Sequence, residues 1–199
     1  MQKILEFIDN NIIPFINDSN TAGQDLLNLF FTTFNKYVGK SDKNQAFTPD
    51  HICDFMCKAV GVNKNSRILD PCSGSGAFLV RAMTDAMDDC DTEEEREEVK
   101  RNQIFGIEYE DGAFGLSSTN MLIHGDGNSN VIQASMFERG EWIKDKNINI
   151  VLMNPPYNAT RKFCDPEYVK TWTSSKKEDP SKGFHFVEYI ARHIPANSK

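Results

Sequence analysis

An α/β fold with a doubly wound, mostly parallel sheet is predicted by three features of this 199-residue chain. Short apolar runs alternate with stretches of helical periodicity between residues 67 and 153, the pattern of repeated strand–helix units. The first of those runs ends at Asp70 and passes through Pro71-Cys72-Ser73-Gly74-Ser75-Gly76, a glycine-rich turn, into a helix. The last run, residues 148–153, ends at Asn154-Pro155-Pro156-Tyr157. A polar amide, two prolines and an aromatic thus stand where a strand stops, which is where open α/β sheets bind ligands.

Taken in order, residues 1–40 read as an N-terminal helical segment. Ile4, Leu5, Ile8, Ile12 and Phe15 recur at helical spacing, and Leu26, Leu27, Leu29, Phe30, Phe34 and Tyr37 suit a second helix. A polar linker, residues 39–44, leads into a second domain spanning 41–199. Thr48 is placed to cap a helix with Pro49 in its first turn, Ile52, Phe55, Met56, Ala59 and Val60 on its apolar face, and Gly61 as its stop. Strand 67–69, the glycine turn and a helix over 77–86 follow. Residues 88–98 hold eight carboxylates and read as a solvated helix end or surface loop. Strand 104–107 ends at Glu108; a helix over 112–123, a loop, strand 131–134 and strand 148–153 complete the alternation. The next ~25 residues mix Arg161, Lys162, Lys170, Lys176, Lys177 and Lys182 with Tyr168 and Trp172, long enough to be either functional or disordered. Such interleaving fits a nucleic-acid contact loop, and four acidic residues make a plain solvated loop nearly as good a reading. A helix carrying Phe184, Phe186, Val187, Ile190 and Ala191 comes last. An apolar strand at 148–153 with no strand after it would leave a bare sheet edge, so a C-terminally incomplete catalytic domain is expected.

Composition narrows the class. Hydrophobic residues are 39% and charged residues 26%, ordinary for a soluble globular chain. No apolar run approaches the ~20 residues of a membrane span, and the N-terminus lacks a signal peptide's apolar core, so a cytoplasmic address is expected. Five cysteines without CxxC pairs argue against a disulfide framework and a structural zinc site. A net charge of −7 argues against strong general binding of polyanions, so any grip on nucleic acid must come largely from elsewhere.

The glycine turn lets backbone approach a ligand and presents helix N–H groups. Leu79 stands where a dinucleotide fingerprint needs a third glycine, and no Gly-Lys-Ser/Thr sequence marks a phosphate loop. Glu108, at the end of the second strand, is placed to bind ribose hydroxyls. A ligand with ribose and a zwitterionic end but no phosphate fits, which points to S-adenosylmethionine. The prolines at 155 and 156 remove two N–H donors, leaving the Asn154 side-chain oxygen and nearby carbonyls as acceptors beside the Tyr157 ring. Acceptors with a π-face suit a flat group carrying NH2.

Four blocks, in this order and spacing, resemble the N6-adenine DNA methyltransferases, and most of all the modification (M) subunit of type I restriction–modification systems. They are Gln45-Ala46-Phe47-Thr48-Pro49, residues 68–79, Gly106-Ile107-Glu108-Tyr109, and Asn154-Pro155-Pro156-Tyr157. The resemblance spans residues 45–194. It implies a Rossmann-like methyltransferase fold, with Asp70, Cys72, Gly74 and Gly76 lining the methionine end of S-adenosylmethionine and Thr48 and Pro49 close to it. It further implies that Glu108 takes the ribose hydroxyls and that Tyr109 lies against the adenine. The family usually has an acid after the third strand; here that position is Ser135, so Ser135 and Met136 are expected near the cofactor adenine and Asp126 in a surface turn. Asn154, Pro155 and Tyr157 are the expected catalytic residues, acting without a metal on an adenine flipped out of double-stranded DNA. The same implication extends to partners, a separate specificity subunit and a restriction subunit. A single-chain type II-like enzyme, an RNA adenine methyltransferase and a protein glutamine methyltransferase would use the same tetrapeptide chemistry.

Overall fold

In the computed structural model, residues 48–126 and 130–199 are described, together with Asn10. The predicted helical segment over 1–40, Asn10 apart, and the linker after it lie outside the described residues. Among the described residues four strands form one parallel sheet: β1 (Ile68–Asp70), β2 (Ile104–Glu108), β3 (Asn130–Gln133) and β4 (Ile150–Val151), in the order β3-β2-β1-β4. β1 is central, pairing Ile68 with Ile104 on one side and with Ile150 on the other. Chain order runs outward from β1 to β3 and then returns to β4 on β1's far side. The reversal places a switch point between β1 and β4, where open sheets of this kind bind ligands.

Alternation along these short strands sends neighbouring side chains to opposite faces. Ile68, Ile104 and Ile150 belong to one buried cluster, and Leu69, Phe105 and Ile107 to the other. The first face is covered by α1 (Asp50–Val60), α2 (Ala77–Asp88), α3 (Glu93–Asn102) and α4 (Asp111–Ile123). The second is covered by α5 (Gly140–Asp145), the segment containing α6 (Pro166–Lys170), and α7 (Phe184–Ala191). Two covered faces explain why the strands read as continuous apolar runs.

Several elements differ from the sequence reading. The acidic stretch contains a helix of its own, α3, because Thr92 accepts the Glu95 N–H at 3.2 Å as its N-cap and three glutamates occupy its first turn. α1 turns Cys53 and Cys57 inward, whereas Ile52 and Phe55 are exposed; the small thiols let α1 lie close on α2. Its N-cap is Pro49, not Thr48, and Gly61 closes it by donating to the Cys57 and Lys58 carbonyls. β4 has only two residues, since the backbone leaves the ladder before the prolines. Its outer edge is not bare: the Val151 N–H donates to the Lys199 carbonyl and the Lys199 N–H to the Asn149 carbonyl, both at 2.9 Å. Among the described residues no helix is long and apolar enough to cross a membrane.

The long segment after Tyr157 is ordered. It holds a 3-10 turn (Arg161–Phe163), α6, and an antiparallel bridge between Thr160 and Glu178. Its aromatics point inward: Trp172 is buried, and Tyr168 stacks on His185 with ring centroids 4.4 Å apart. Arg161 lies 5.3 Å over the Trp172 ring and donates to the Thr173 and Lys176 carbonyls, so it staples the loop. The loop therefore offers lysines to solvent, but not the base-stacking aromatics that its sequence pattern suggested.

Candidate active site

Beyond the ends of β1 and β4 lies a cleft lined by Thr48, Asp70, Cys72, Ser73, Gly74, Ser75, Ala77, Phe78 and Asn154. Five of the predicted site residues therefore meet in one place, although they come from three separated stretches of chain. The glycine turn forms its floor. Gly76, the N-cap of α2, has φ 85°, and a Cβ there would sit 2.8 Å from Ser117 Oγ. Only glycine satisfies both the left-handed backbone and that close approach. α4 braces the turn from behind: Asn120 Nδ2 donates to the Ser75 carbonyl at 3.0 Å, and Ser117 Oγ lies 3.3 Å from Ser73 Oγ. These two buried residues were not found from the sequence; their spacing, three apart and so on one face of the helix, was the available signal.

The acid that lines the cleft, Asp70, is buried, and so is Glu108, which is hydrogen-bonded to the glycine turn. Asp70 is 1% exposed and accepts the Cys72 N–H at 3.0 Å. Burial, with the nearby Glu108 charge adding to it, pushes its pKa up to about 8. Burial also raises Cys72, well above the ordinary thiol range, and Glu108. Glu108 accepts the Gly74 N–H through one oxygen and the Glu110 N–H through the other, each at 2.8 Å. That ties the end of β2 to the glycine turn and still leaves lone pairs for hydroxyl donors. Among the described residues no ion pair reaches Asp70 or Glu108. Cys72 Sγ lies 3.9 Å from Met136 Sδ, which brings Met136 to the cleft's edge, with half-buried Ser135 before it. Tyr109 is half exposed, edge-on to Phe163 at 5.2 Å. Pro49 is exposed at the head of α1. Asp126 is no surface turn: it is 1% exposed, its N–H closing on the Met121 carbonyl as the chain folds back under the end of α4.

Asn154 joins this floor to the tetrapeptide. Its Nδ2 donates to Thr48 Oγ1 at 3.3 Å, and Tyr157 Oη donates to its Oδ1 at 3.2 Å. Thr48 thus spends its hydroxyl across the cleft rather than on capping α1. Tyr157 is 55% exposed, its ring open to solvent. The prolines are backed by Gly183, which has φ 93°; a Cβ there would meet Pro155 Cγ at 3.3 Å.

Gly183 is in turn held by Asp179, another group the sequence did not reveal. Fully buried, Asp179 accepts from the Gly183 N–H (2.6 Å), the Ser181 N–H and hydroxyl (2.8 and 2.9 Å) and Tyr168 Oη (3.0 Å). His185 Nδ1 lies 3.1 Å from its Oδ2. Burial alone would raise the Asp179 pKa, but the Gly183 and Ser181 hydrogen bonds outweigh it and hold the carboxyl below its ordinary value. Burial lowers His185, against the pull of Asp179.

A parallel sheet in this strand order with helices packed on both faces is a fold shared with solved methyltransferase structures. One is a putative class I S-adenosylmethionine-dependent methyltransferase from Listeria monocytogenes (TM-score 0.61, 18% identity, covering 97% of this chain and 55% of that one). Another is a modification subunit of a putative type I restriction enzyme from Vibrio vulnificus (TM-score 0.65, 23% identity, covering 83% of this chain and 34% of that one). The chain belongs to the N-6 DNA Methylase family, whose sequence profile matches residues 24–199. It is 38% identical over 141 residues to the type II restriction enzyme and methyltransferase RM.BcgI of Heyndrickxia coagulans, a match covering 69% of this chain and 22% of that protein. It is 27% identical over 120 residues to the type I restriction enzyme EcoEI methylase subunit of Escherichia coli, covering 57% of this chain and 24% of that subunit. The chain thus spans about a quarter of the length of these two relatives.

Proposed function

We propose that this chain carries the catalytic site of a restriction–modification DNA methyltransferase that methylates N6 of a flipped-out adenine, using S-adenosylmethionine. One observation carries the reading. The acceptor end of Asn154 stands beside a buried, glycine-floored acidic cleft at the sheet's switch point, so that two ligands can meet there. The cleft fits the cofactor: buried carboxylates at Asp70 and Glu108, without cations of their own among the described residues, suit an ammonium group and ribose hydroxyls. Asp70, Cys72, Gly74, Gly76, Glu108, Tyr109, Ser135 and Met136 would hold it, while Thr48 and Pro49 would lie close to its methionine end, where the backbone at the head of α1 favours a carboxylate. When bound, S-adenosylmethionine supplies a methyl group on a positively charged sulfur.

The adenine amine is a poor nucleophile because its lone pair is delocalised into the ring. Asn154 Oδ1 and the Pro155 carbonyl accept its two N–H bonds, drawing the nitrogen toward tetrahedral geometry and aiming the lone pair at the methyl. The same acceptors would stabilise the positive charge that the amine gains as the methyl's bond to sulfur breaks, until one of its protons passes to solvent water. Tyr157 stacks on the base, a contact worth roughly 1–3 kcal/mol. Asn154→Ala is expected to slow methyl transfer ~100-fold or more while leaving cofactor affinity nearly unchanged. Parallel collapse of cofactor affinity would make Asn154 structural. Radiolabelled transfer offered DNA, RNA and protein acceptors tests the substrate, with label on N6 of DNA adenine as the expected result.

Within that class we favour the modification subunit of a type I system, read with a separate specificity subunit and a restriction subunit. A second reading, a single-chain type II-like enzyme, is favoured by the 38% identity to RM.BcgI, which is both restriction enzyme and methyltransferase. Co-purification of a distinct specificity subunit with the native protein supports the first; sequence-specific methylation by the purified chain alone supports the second.

A further inference from the structure

We propose that Thr48 is a positioning residue for Asn154: by accepting the Nδ2–H, its hydroxyl decides which end of the amide faces the incoming amine. The inference rests on Asn154 being the amine acceptor. The two ends of an asparagine amide are nearly equal in shape, and a half-turn exchanges acceptor for donor. A donor turned toward an NH2 group would oppose binding, so the half-turn must be prevented. The surroundings divide the task. Prolines at 155 and 156 remove the backbone N–H groups that would otherwise compete for Oδ1. Tyr157 Oη occupies Oδ1 at 3.2 Å, in the position an amine N–H would take, and has to leave when the base arrives. Thr48 Oγ1, 3.3 Å from Nδ2, is the contact that stays.

Thr48 suits this role because it is anchored independently of the tetrapeptide. It immediately precedes Pro49, whose carbonyl accepts the Ile52 and Cys53 N–H groups at the head of α1. Cys53 and Cys57 bury that helix against α2, the helix that the glycine turn opens. Orientation of the amide is thereby coupled to the wall of the cofactor cleft, since Thr48 and Asn154 both line it.

The test compares Thr48→Val, close to isosteric but without the acceptor, with Thr48→Ser, which keeps it. Both are made in the full-length protein with any partner subunits it requires. Calorimetric titration measures S-adenosylmethionine affinity, and single-turnover labelling measures transfer to DNA. Thr48→Val is expected to slow single-turnover transfer about tenfold, as loss of one orienting hydrogen bond would, with cofactor affinity within about threefold of wild type. Thr48→Ser is expected to recover the wild-type rate, and matching circular dichroism and melting curves exclude misfolding. A wild-type rate in Thr48→Val overturns the proposal. So does a loss of cofactor affinity matching the loss of rate, or a Thr48→Ser variant as slow as Thr48→Val. Failure of the wild type itself to methylate adenine overturns the reading of the site; normal wild-type transfer with an indifferent Thr48→Val overturns the positioning role alone.

Discussion

Asp70 shows how one residue couples burial to ligand chemistry. A carboxyl that is 1% exposed and accepts the Cys72 N–H resists ionisation, and its pKa rises to about 8. A folded-state value above the unfolded one means that the unfolded chain gives up its proton first. Asp70 therefore contributes stability below about pH 4 that is lost as pH rises toward about 8. Asp70→Asn, neutral at every pH, should remove that slope; urea unfolding of wild type and variant from pH 5 to 8.5 checks it. A cationic ligand reverses the preference by favouring the carboxylate. S-adenosylmethionine affinity should then weaken as pH falls below the Asp70 value, by up to about tenfold per pH unit, and the dependence should flatten in Asp70→Asn. The aspartate and its turn were legible in the sequence, but its burial and its nearness to Glu108 were not, because Glu108 arrives from another strand 38 residues on.

The glycine turn is decided between elements. Gly74 and Gly76 were readable as a tight turn from strand into helix, yet what makes Gly76 irreplaceable is α4, which sets Ser117 Oγ 2.8 Å from where a Cβ would be. Gly76→Ala should destabilise by about 2 kcal/mol or more, from left-handed strain and the close contact together. Adding Ser117→Gly should recover the contact part and leave the strain, which chemical denaturation of the single and double variants can separate. Helix assignments were readable where periodicity was strong, as in α2 and α7. They failed for α3, whose residues are so charged that its helix shows in the Thr92 cap rather than in an apolar stripe. α1 was found, and Met56 and Val60 of its expected apolar face pack on the core beside Cys53 and Cys57, but Ile52, Phe55 and Ala59 stay outside.

Across the whole molecule, the tetrapeptide is gripped from both sides of the sheet. Thr48 reaches it from the α1–α2 side, and Gly183 packs behind the prolines from the other. Asp179 is the buckle of that second side. Asp179→Ala would leave several buried donors without an acceptor, at a cost of about 3 kcal/mol or more. We expect lowered melting temperature and lowered methyl transfer, with cofactor affinity less affected. The pH sign is opposite to that of Asp70. Asp179 and His185 both have folded values below their ordinary ones, so their stabilisation is present above the unfolded values and is lost as pH falls. For His185 the loss begins near pH 6.5, as the unfolded chain takes a proton that the buried ring resists; for Asp179 it begins near pH 4. His185→Gln should flatten the upper part of that acid-side fall in thermal stability.

The sequence by itself determined the sheet's class, the order of its strands along the chain, and the local chemistry at the strand ends. Those follow from periodicity and from residues such as Gly76, Pro155 and Pro156, whose backbone restrictions act within a few positions. Only the tertiary structure decided what stands opposite what: Thr48 against Asn154 across 106 residues, Ser117 against Gly76, and Asp179 behind Pro155. Such contacts are fixed by how the two faces of the sheet pack, and no local pattern along the chain records a distance across it.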